Sequence, residues 1–360
     1  STTGSTAHAT IDNGTTTLDI AASSVGGDLT LISGHASGIT DSGNVTVGGN
    51  LAATTNANHG LINMDTLRVD GTVALTTNGN GAATVVNDVG LIFAASTVGG
   101  ALSATATTGD ITDSGALAIT GASTFTAADG QSVTLNNTNS FTGTVTFAAA
   151  ASGNLKNVTV TDTTVLDLGA LTLAKVAGAG GNLTVTTGGA LTDSGALVIP
   201  GTTTITATGQ VVELDHTSNN FATILFGSSS NAVSSVEVVD TNAIVIGASK
   251  STGNFTVTAG GDVTDSDTVT VGGNLSVTTS ANDGLINMGT LEVDGTLALT
   301  TNGDGAVTVV NDAAIEFAVS TVGGALSATA TTGNITQSGA LDIEGTTTLV
   351  TTAQGATIDL

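Results

Sequence analysis

A short marker, an apolar residue followed by Thr, Asp, Ser and Gly, recurs along this chain at nearly equal intervals. Three copies keep the full pattern and two vary its end; they start at Ile39, Ile111, Leu191, Val263 and Ile335. Subtraction of these starting positions gives successive steps of 72, 80, 72 and 72. Spacing this regular is typical of a repeat architecture, in which each unit buries its apolar face against its neighbours. The repetition therefore constrains the fold more than the length of 360 residues does.

A shorter period lies inside the 72-residue step. Gly-Gly-x-Leu openings recur, and an apolar anchor begins each following run of alternating apolar and small polar residues. Five such anchors are Leu29, Leu51, Leu75, Leu102 and Phe125, with successive steps of 22, 24, 27 and 23 by subtraction. Alternation with period two, bounded by Gly, Asp and Ser, is typical of short strands with one buried face. We therefore predict coils of about 22–27 residues with three short strands each, so that a 72-residue step holds about three coils and the chain about fifteen.

Stacked coils of this size predict an all-β fold, a parallel β-helix or β-solenoid with inward apolar ladders. The 49 glycines and the abundant Thr and Val oppose long helices, so we expect almost no α-helix. A tandem of β-sandwich domains is the competing fold. It needs blocks of about 100 residues and usually a core Trp or Tyr. The chain has no Trp and no Tyr, and its similarity lies at the shorter period.

A third level of repetition is an internal duplication. Residues 45–121 match residues 269–345 without a gap at an offset of 224, with about three-quarters of the positions identical. We predict one continuous β-solenoid over residues 1–360, built of supermodules of about 72–80 residues, with a longer loop near residues 148–157. Because the chain begins at Ser1 without Met, we expect it to be a segment of a longer protein.

The charge balance excludes several classes of partner. The formal net charge is −25, and the cationic side chains are Arg68, Lys156, Lys175 and Lys250. Phosphate binding needs clustered Lys and Arg, so we expect neither nucleic-acid binding nor attraction to anionic lipid. No run of about 18 apolar residues predicts a membrane span. The absence of Cys fits a secreted bacterial protein that avoids disulfides during export.

Two stretches carry a resemblance to a known family. GGNLTVTTGGALTDSGALVI, from Gly180, and GGDVTDSDTVTVGGNLSVTT, from Gly260, resemble the repeats of filamentous-haemagglutinin-like exoproteins, large adhesins exported by two-partner secretion. The resemblance covers most of the chain. It implies a right-handed parallel β-helix that extends from a Gram-negative cell surface.

The sequence offers little chemistry. Acidic residues fall mainly in turn sequences such as Asp-Ser-Gly, where the side chain accepts hydrogen bonds from nearby backbone N–H groups. Asp215 and His216 are an adjacent acid–base pair, but no nucleophile stands at a recognisable spacing from them. We therefore predict no catalytic residue, no cofactor site and no enzymatic activity.

A calcium site is the one weak metal candidate. Asp262, Asp265 and Asp267 place three carboxylates within six residues, and Ca²⁺ prefers clustered oxygen ligands. The Ca²⁺-binding nonapeptide of β-rolls and the EF-hand loop are both missing from the sequence.

Repetition without a unique polar constellation favours a structural or adhesive fibre segment of an extracellular, bacterial cell-surface protein. We expect it to be rod-like and to stack end to end on other copies or further repeats, with cell-surface or matrix glycans as further candidate partners. One alternative is a carbohydrate-binding or polysaccharide-degrading β-helix protein, although eight Phe with no Trp or Tyr leave few platforms for sugar rings. A Ca²⁺-stabilised surface-layer or matrix protein is a second alternative. An ice-binding protein is a third, because Thr-x-Thr pairs such as Thr184 and Thr186 can line a flat face.

Overall fold

Two compact units, residues 1–182 and residues 183–360, make up the chain in a computed structural model that describes residues 1, 2, 4 and 6–360. Each unit is a parallel β-solenoid, and the described residues make about 17 coils of about 21 residues. The prediction of an all-β parallel β-solenoid is therefore confirmed. The right hand of the coil, and a single continuous solenoid over residues 1–360, stay predictions.

Unit 1 consists of short strands joined by turns. In chain order they are Ala9–Asp12, Leu18–Ile20, Ser23–Val25, Leu29–Ser33, Ile39–Asp41, Val45–Val47, Leu51–Asn58, Ile62–Val69, Thr72–Asn78, Ala83–Asn87, Leu91–Phe93, Ser96–Val98, Leu102–Ala106, Ile111–Asp113, Leu117–Ile119, Ser123–Ala127, Val133–Phe141, Val145–Ala149, Asn157–Asp162, Leu166–Leu168, Leu171–Thr172, Lys175–Val176 and Ala179–Gly180. The last two form a small antiparallel hairpin. A 3-10 turn at Ala150–Ser152 lies within the loop predicted near residues 148–157.

Unit 2 repeats this construction. Its strands are Asn182–Thr187, which starts at the boundary, Leu191–Asp193, Leu197–Thr206, Val211–Leu214, Asn220–Phe226, Ser235–Asp240, Ile244–Ile246, Ser249–Ser251, Phe255–Ala259, Val263–Asp265, Val269–Val271, Leu275–Asn282, Ile286–Val293, Thr296–Asn302, Val307–Asn311, Ile315–Phe317, Ser320–Val322, Leu326–Ala330, Ile335–Gln337, Leu341–Ile343, Thr347–Thr351 and Ile358–Asp359. No helix among the described residues is long and apolar enough to cross a membrane.

One coil of unit 1 shows how the strands are arranged. Leu29–Ser33 lies in one sheet, and Ile39–Asp41 and Val45–Val47 follow in the other, separated by a corner. The chain then returns to the first sheet, where Leu29 pairs in parallel with Leu51 of the next coil. Such coils have the three short strands that the sequence predicts. In other coils the two short strands merge into one, as in Ile62–Val69.

The coils are shorter on average than the sequence predicts. In unit 1, the step between paired positions of neighbouring coils is 19 at Ala83 and Leu102 and 25 at Val133 and Val158, by subtraction. The anchor spacing is misleading because Leu75 and Leu102 lie in different sheets, so the segment between them spans more than one coil.

The 72-residue step therefore holds three and a half coils, not three. In unit 1, Ile39 and Ile111 lie in opposite sheets. In unit 2, Val263 lies in the sheet opposite to that of Leu191 and Ile335. Equivalent residues of successive steps thus face opposite sides of the solenoid within each unit.

The core lies between the two sheets of each unit and follows the alternation of the sequence. Leu29–Ser33, for example, buries its first, third and fifth residues. In unit 1 the ring of Phe125 is fully buried, with ring centroids 6.2 Å from Phe93, 5.9 Å from Phe141 and 5.9 Å from Phe147. In unit 2 the rings of Phe226 and Phe255 meet edge to face at 5.4 Å.

The Gly-Gly pairs are turns in which the backbones of successive coils approach closely. A Cβ added to Gly48 would lie 2.6 Å from the carbonyl oxygen of Gly26, one coil earlier. A Cβ on Gly71 would lie 2.5 Å from the carbonyl oxygen of Gly49. Glycine is needed at these positions because backbone occupies the space of a side chain.

We predict that Phe125→Ala lowers the free energy of unfolding by about 3–5 kcal/mol, because it empties the centre of the unit 1 aromatic cluster. Urea denaturation followed by circular dichroism measures the change. Val165→Ala is the control, since Val165 is 57% exposed and its truncation should change stability by less than about 0.5 kcal/mol. Equal losses in the two variants would contradict a packed aromatic core.

Candidate functional site: carboxylates at the coil corners

The marker Asp stands where the chain turns the corner between two short strands. In unit 1, Asp41 ends one such strand, and the strands on both sides of its corner pair with the single strand Ile62–Val69 of the next coil. The pairs are Ile39 with Ile62 and Val45 with Leu67, so residues 64–66 lie opposite the corner. On that side, the described chain places no strand against these residues to accept the hydrogen bonds of their backbone N–H groups.

The carboxylate of Asp41 takes the place of the missing strand. Its Oδ1 accepts a hydrogen bond from the N–H of Asp65 at 3.0 Å, and its Oδ2 accepts from the N–H of Thr66 at 2.9 Å. In unit 2, the carboxylate of Asp265 accepts from the N–H of Gly289 at 2.9 Å and of Thr290 at 2.7 Å. The sequence predicts turn residues whose side chains bond nearby backbone. These two carboxylates instead bond the next coil.

Two other marker aspartates, Asp113 and Asp193, also accept hydrogen bonds from backbone N–H groups of the next coil, and each is joined by a buried asparagine. In unit 1, Asn139 Nδ2 donates to Asp113 at 2.8 Å, and Asn139 Oδ1 accepts from the N–H of Leu117 at 2.7 Å. In unit 2, Asn219 Nδ2 donates to Asp193 at 2.6 Å, and Asn219 Oδ1 accepts from the N–H of Leu197 at 2.8 Å. Both asparagines are fully buried, and each connects the two strands that flank a corner of the preceding coil.

Three buried aspartates complete this polar layer. Asp162 accepts hydrogen bonds from the N–H of Phe141 in unit 1, and Asp240 accepts one from Phe221 at 2.5 Å in unit 2. Burial raises the pKa of Asp162 and of Asp240 above the usual value for Asp. Burial also raises the pKa of Asp193 to about 6, against the lowering effect of its hydrogen bond from Asn219.

A second kind of buried asparagine uses its side chain to make the two hydrogen bonds that the backbone of a neighbouring strand would otherwise make. Asn87 accepts from the N–H of Val69 at 2.8 Å and donates to the carbonyl of Val69 at 3.1 Å. Asn311 makes the same pair of bonds to Val293, at 2.8 and 3.0 Å. Sequence analysis missed all four asparagines. The 80-residue step from Asn139 to Asn219 and the 224-residue step from Asn87 to Asn311 were the available signals.

The calcium candidates do not form a common ligand set. Asp262 accepts from the N–H of Leu285 at 2.9 Å, Asp265 binds the next coil as described above, and Asp267 accepts from the N–H of Thr268 at 2.7 Å. Across the described part of the chain, no group of three or more His, Cys, Asp or Glu residues is placed to hold a metal ion. Calcium binding stays a prediction without a site in this geometry.

The histidines accept backbone hydrogen bonds through Nδ1. His216 accepts from the N–H of Ser218 at 3.1 Å, and its own N–H donates to Asp193 at 3.4 Å. The Nδ1 atom of this ring thus accepts a hydrogen bond within its own turn. His59 accepts from the N–H of Asn80 at 3.0 Å, as His8 and His35 accept from Asp28 and Ser37.

Comparison with known families fits this repeated construction. A family model described as repeats of unknown function (DUF5649) matches residues 79–148, 155–226, 233–288 and 304–360, more than half of the chain. The chain belongs to this family. Each matched segment contains one marker, with Asp113, Asp193, Asp265 and Gln337 at the acidic position. One DUF5649 match therefore carries one marker corner, beside corners that lack the marker, such as the one between Leu91–Phe93 and Ser96–Val98.

Two further comparisons gave no match, either among curated proteins or among solved structures.

We predict that Asp265→Ala lowers the free energy of unfolding by about 1–3 kcal/mol, because two backbone N–H groups lose their acceptor. Hydrogen exchange at Gly289 and Thr290 should also become faster. Asp267→Ala is the matched control two residues away, where the carboxylate bonds its own neighbour instead of the next coil. If both variants leave exchange at Gly289 unchanged, the carboxylate does not support the corner.

A second prediction concerns pH. The folded pKa of Asp193 is raised from 3.8 to about 6, so the folded state binds more protons than the unfolded state between these values. The contribution of Asp193 to stability therefore falls as pH rises from about 4 to about 6 and then stays at its lower level, while the raised pKa values of Asp162 and Asp240 act in the same direction. Asp193→Asn should make this part of the profile less steep and be the more stable form at pH 8, by on the order of 1–3 kcal/mol.

Thermal unfolding between pH 4 and pH 8 tests this prediction. Asp304→Asn is the control, because Asp304 lies in an exposed turn and its counterpart in the duplicate is Asn80. A pH profile that is the same for Asp193→Asn and the parent chain would contradict the assignment to Asp193.

Proposed function

We propose that this chain is a rod-like structural and adhesive segment of a bacterial extracellular surface fibre. The observation that carries the proposal is the use of the polar side chains. The marker carboxylates and buried asparagines accept or donate hydrogen bonds between successive coils, at Asp41, Asp113, Asp193 and Asp265, instead of converging on a cleft. Hydrogen bonds of this kind stabilise a stack of coils and do not build a reaction centre.

The family match and the resemblance support this proposal in different ways. The DUF5649 match supports a repeat protein. The resemblance of the Gly180 and Gly260 stretches to filamentous-haemagglutinin-like adhesins supports the surface location and the adhesive role. In this proposal the segment is not an enzyme and binds no cofactor.

The proposed partners are other copies or further repeats of the same chain, stacked end to end, and glycans of a cell surface or matrix. The net charge of −25 opposes nucleic acid as a partner. Stacking has a physical reason, because the last strand of any parallel solenoid exposes unpaired N–H and C=O groups.

Two measurements test the proposal. Negative-stain electron microscopy of the purified chain should show particles several times longer than wide, and end-to-end pairs should appear as concentration rises. Antibody raised against the chain should label intact cells of the source bacterium as strongly as permeabilised cells. A matched serum depleted on the purified chain is the control for specific labelling.

Opposite outcomes would overturn separate parts of the proposal. Compact particles of equal dimensions would exclude the rod. Labelling that requires permeabilisation would exclude the surface location. Cleavage of an acidic polysaccharide by the purified chain would replace the structural role with an enzymatic one.

A further inference from the structure

The internal duplication builds the same surface groove twice, once in each unit. The groove of unit 1 has a volume of about 240 Å³ and that of unit 2 about 250 Å³. Eight of their lining positions correspond at the offset of 224, among them Asp88 and Asp312. The backbone frame is the same as well, since the N–H of each of these aspartates donates at 2.9 Å to the carbonyl of the equivalent leucine, Leu67 or Leu291.

In unit 1 the guanidinium group of Arg68 lies between two carboxylates at the edge of the groove. Arg68 Nη2 lies 3.4 Å from Asp70 Oδ1, and Arg68 Nη1 lies 3.5 Å from Asp88 Oδ2. The side chain is about half exposed, so it lies at the mouth of the groove. The two carboxylates thus flank one planar cation, an arrangement that suits the fixed fork of arginine donors.

In unit 2 an acidic side chain replaces the arginine. Glu292 stands at the position of Arg68, while Asp294 and Asp312 keep the positions of Asp70 and Asp88. Burial, and then the charges of Glu292 and Asp294, raise the pKa of Asp312. Among the described residues, no cationic side chain lies within ion-pair distance of these three carboxylates.

Neighbouring residues hold the acidic side of the unit 2 groove in place. Thr270 Oγ1 donates to Glu292 Oε2 at 2.9 Å. Thr331 Oγ1 donates to the backbone carbonyl of Asp312 at 2.7 Å, as Thr107 Oγ1 does to Asp88 at 3.1 Å. Lys250 pairs with Thr270 in the sheet, and Thr270 pairs with Glu292. Lys250 therefore lies two strands away from Glu292.

We propose that the unit 2 groove binds the guanidinium group of an arginine carried by a partner protein. The internal copy supports this assignment, because the equivalent carboxylates, Asp70 and Asp88, lie within ion-pair distance of the Arg68 guanidinium. Val310 lines the groove beside the acids, and its partly exposed apolar side chain suits the methylene stem of an arginine. The inference is independent of the proposed surface location.

Nuclear magnetic resonance of the isotope-labelled full chain tests this inference, with N-acetyl-arginine methylamide as the probe. Amides at Glu292 and Asp312 should shift in a saturable way, and those at Arg68 and Asp88 are the internal control. We expect a dissociation constant at least about tenfold lower at the unit 2 groove than at the unit 1 groove, a ratio that corresponds to about 1.4 kcal/mol. Using two grooves of one chain cancels the attraction that its overall negative charge exerts on any cation.

Two reciprocal variants sharpen the test. Glu292→Arg rebuilds the unit 1 arrangement in unit 2 and should abolish the saturable shift there. Arg68→Glu removes the guanidinium from the unit 1 groove and should create a second site with an affinity within about threefold of the first. Circular dichroism spectra that match the parent chain show that both variants fold.

Three outcomes would overturn the proposal. Equal shifts in both grooves of the parent chain would show general attraction of cations to an acidic surface. Unchanged binding in Glu292→Arg would place the site elsewhere. Larger chemical shift changes at the same amides with CaCl₂ than with the arginine probe, at matched ionic strength, would assign the groove to a divalent cation instead.

Discussion

Hydrogen bonding between coils is the constraint on which this structure depends. In a parallel solenoid, the N–H and C=O groups of each strand must find partners one coil away, because buried backbone groups without partners are costly. Straight strands satisfy this requirement because they pair along their whole length. Corners do not, because the chain turns away there while the strand of the next coil continues straight. Asp41 and Asp265 solve the problem with carboxylate oxygens, and Asn139 and Asn219 solve it with a side chain that both donates and accepts. The polar residues that look most like chemistry in the sequence are thus parts of the ladder.

Much of this fold follows from the sequence because the alternation of apolar and small polar residues states which side of each strand is buried. Leu29–Ser33 and Phe255–Ala259 keep that pattern without exception. The length of a coil is less accessible, because both sheets of a unit carry the same alternation and nothing in it distinguishes one sheet from the other. Leu75 and Leu102 look like successive anchors and yet lie in different sheets.

The candidate site is less predictable still. Asp113 and Asp193 are recognisable as corner residues, but their partners stand 23 to 26 positions further along the chain and are set by the coil length. Turn rules describe bonds to residues two or three positions away, so they place the residue correctly and assign it the wrong hydrogen-bond donor.

The internal duplication shows which substitutions the frame absorbs. His59 and Asp283 occupy the same left-handed turn, with φ of 63° and 64°, and each accepts the N–H of the equivalent residue, Asn80 or Asp304. Different chemistry therefore performs one structural task. The exchange of Arg68 for Glu292 is of another kind, because neither side chain supports the backbone of its coil corner. It leaves the fold unchanged and inverts the charge that the surface presents.

The half-coil remainder in the 72-residue step has a geometric consequence for anything that lies along one sheet. In unit 2, Leu191 and Ile335 share a sheet, whereas Val263 lies on the reverse side. A flat surface in contact with that sheet meets every second marker, so the recurrence along one side spans two steps of the repeat. The reverse side presents the same feature out of phase. Adding repeats in pairs preserves the pattern seen from each side, whereas adding a single repeat exchanges the two.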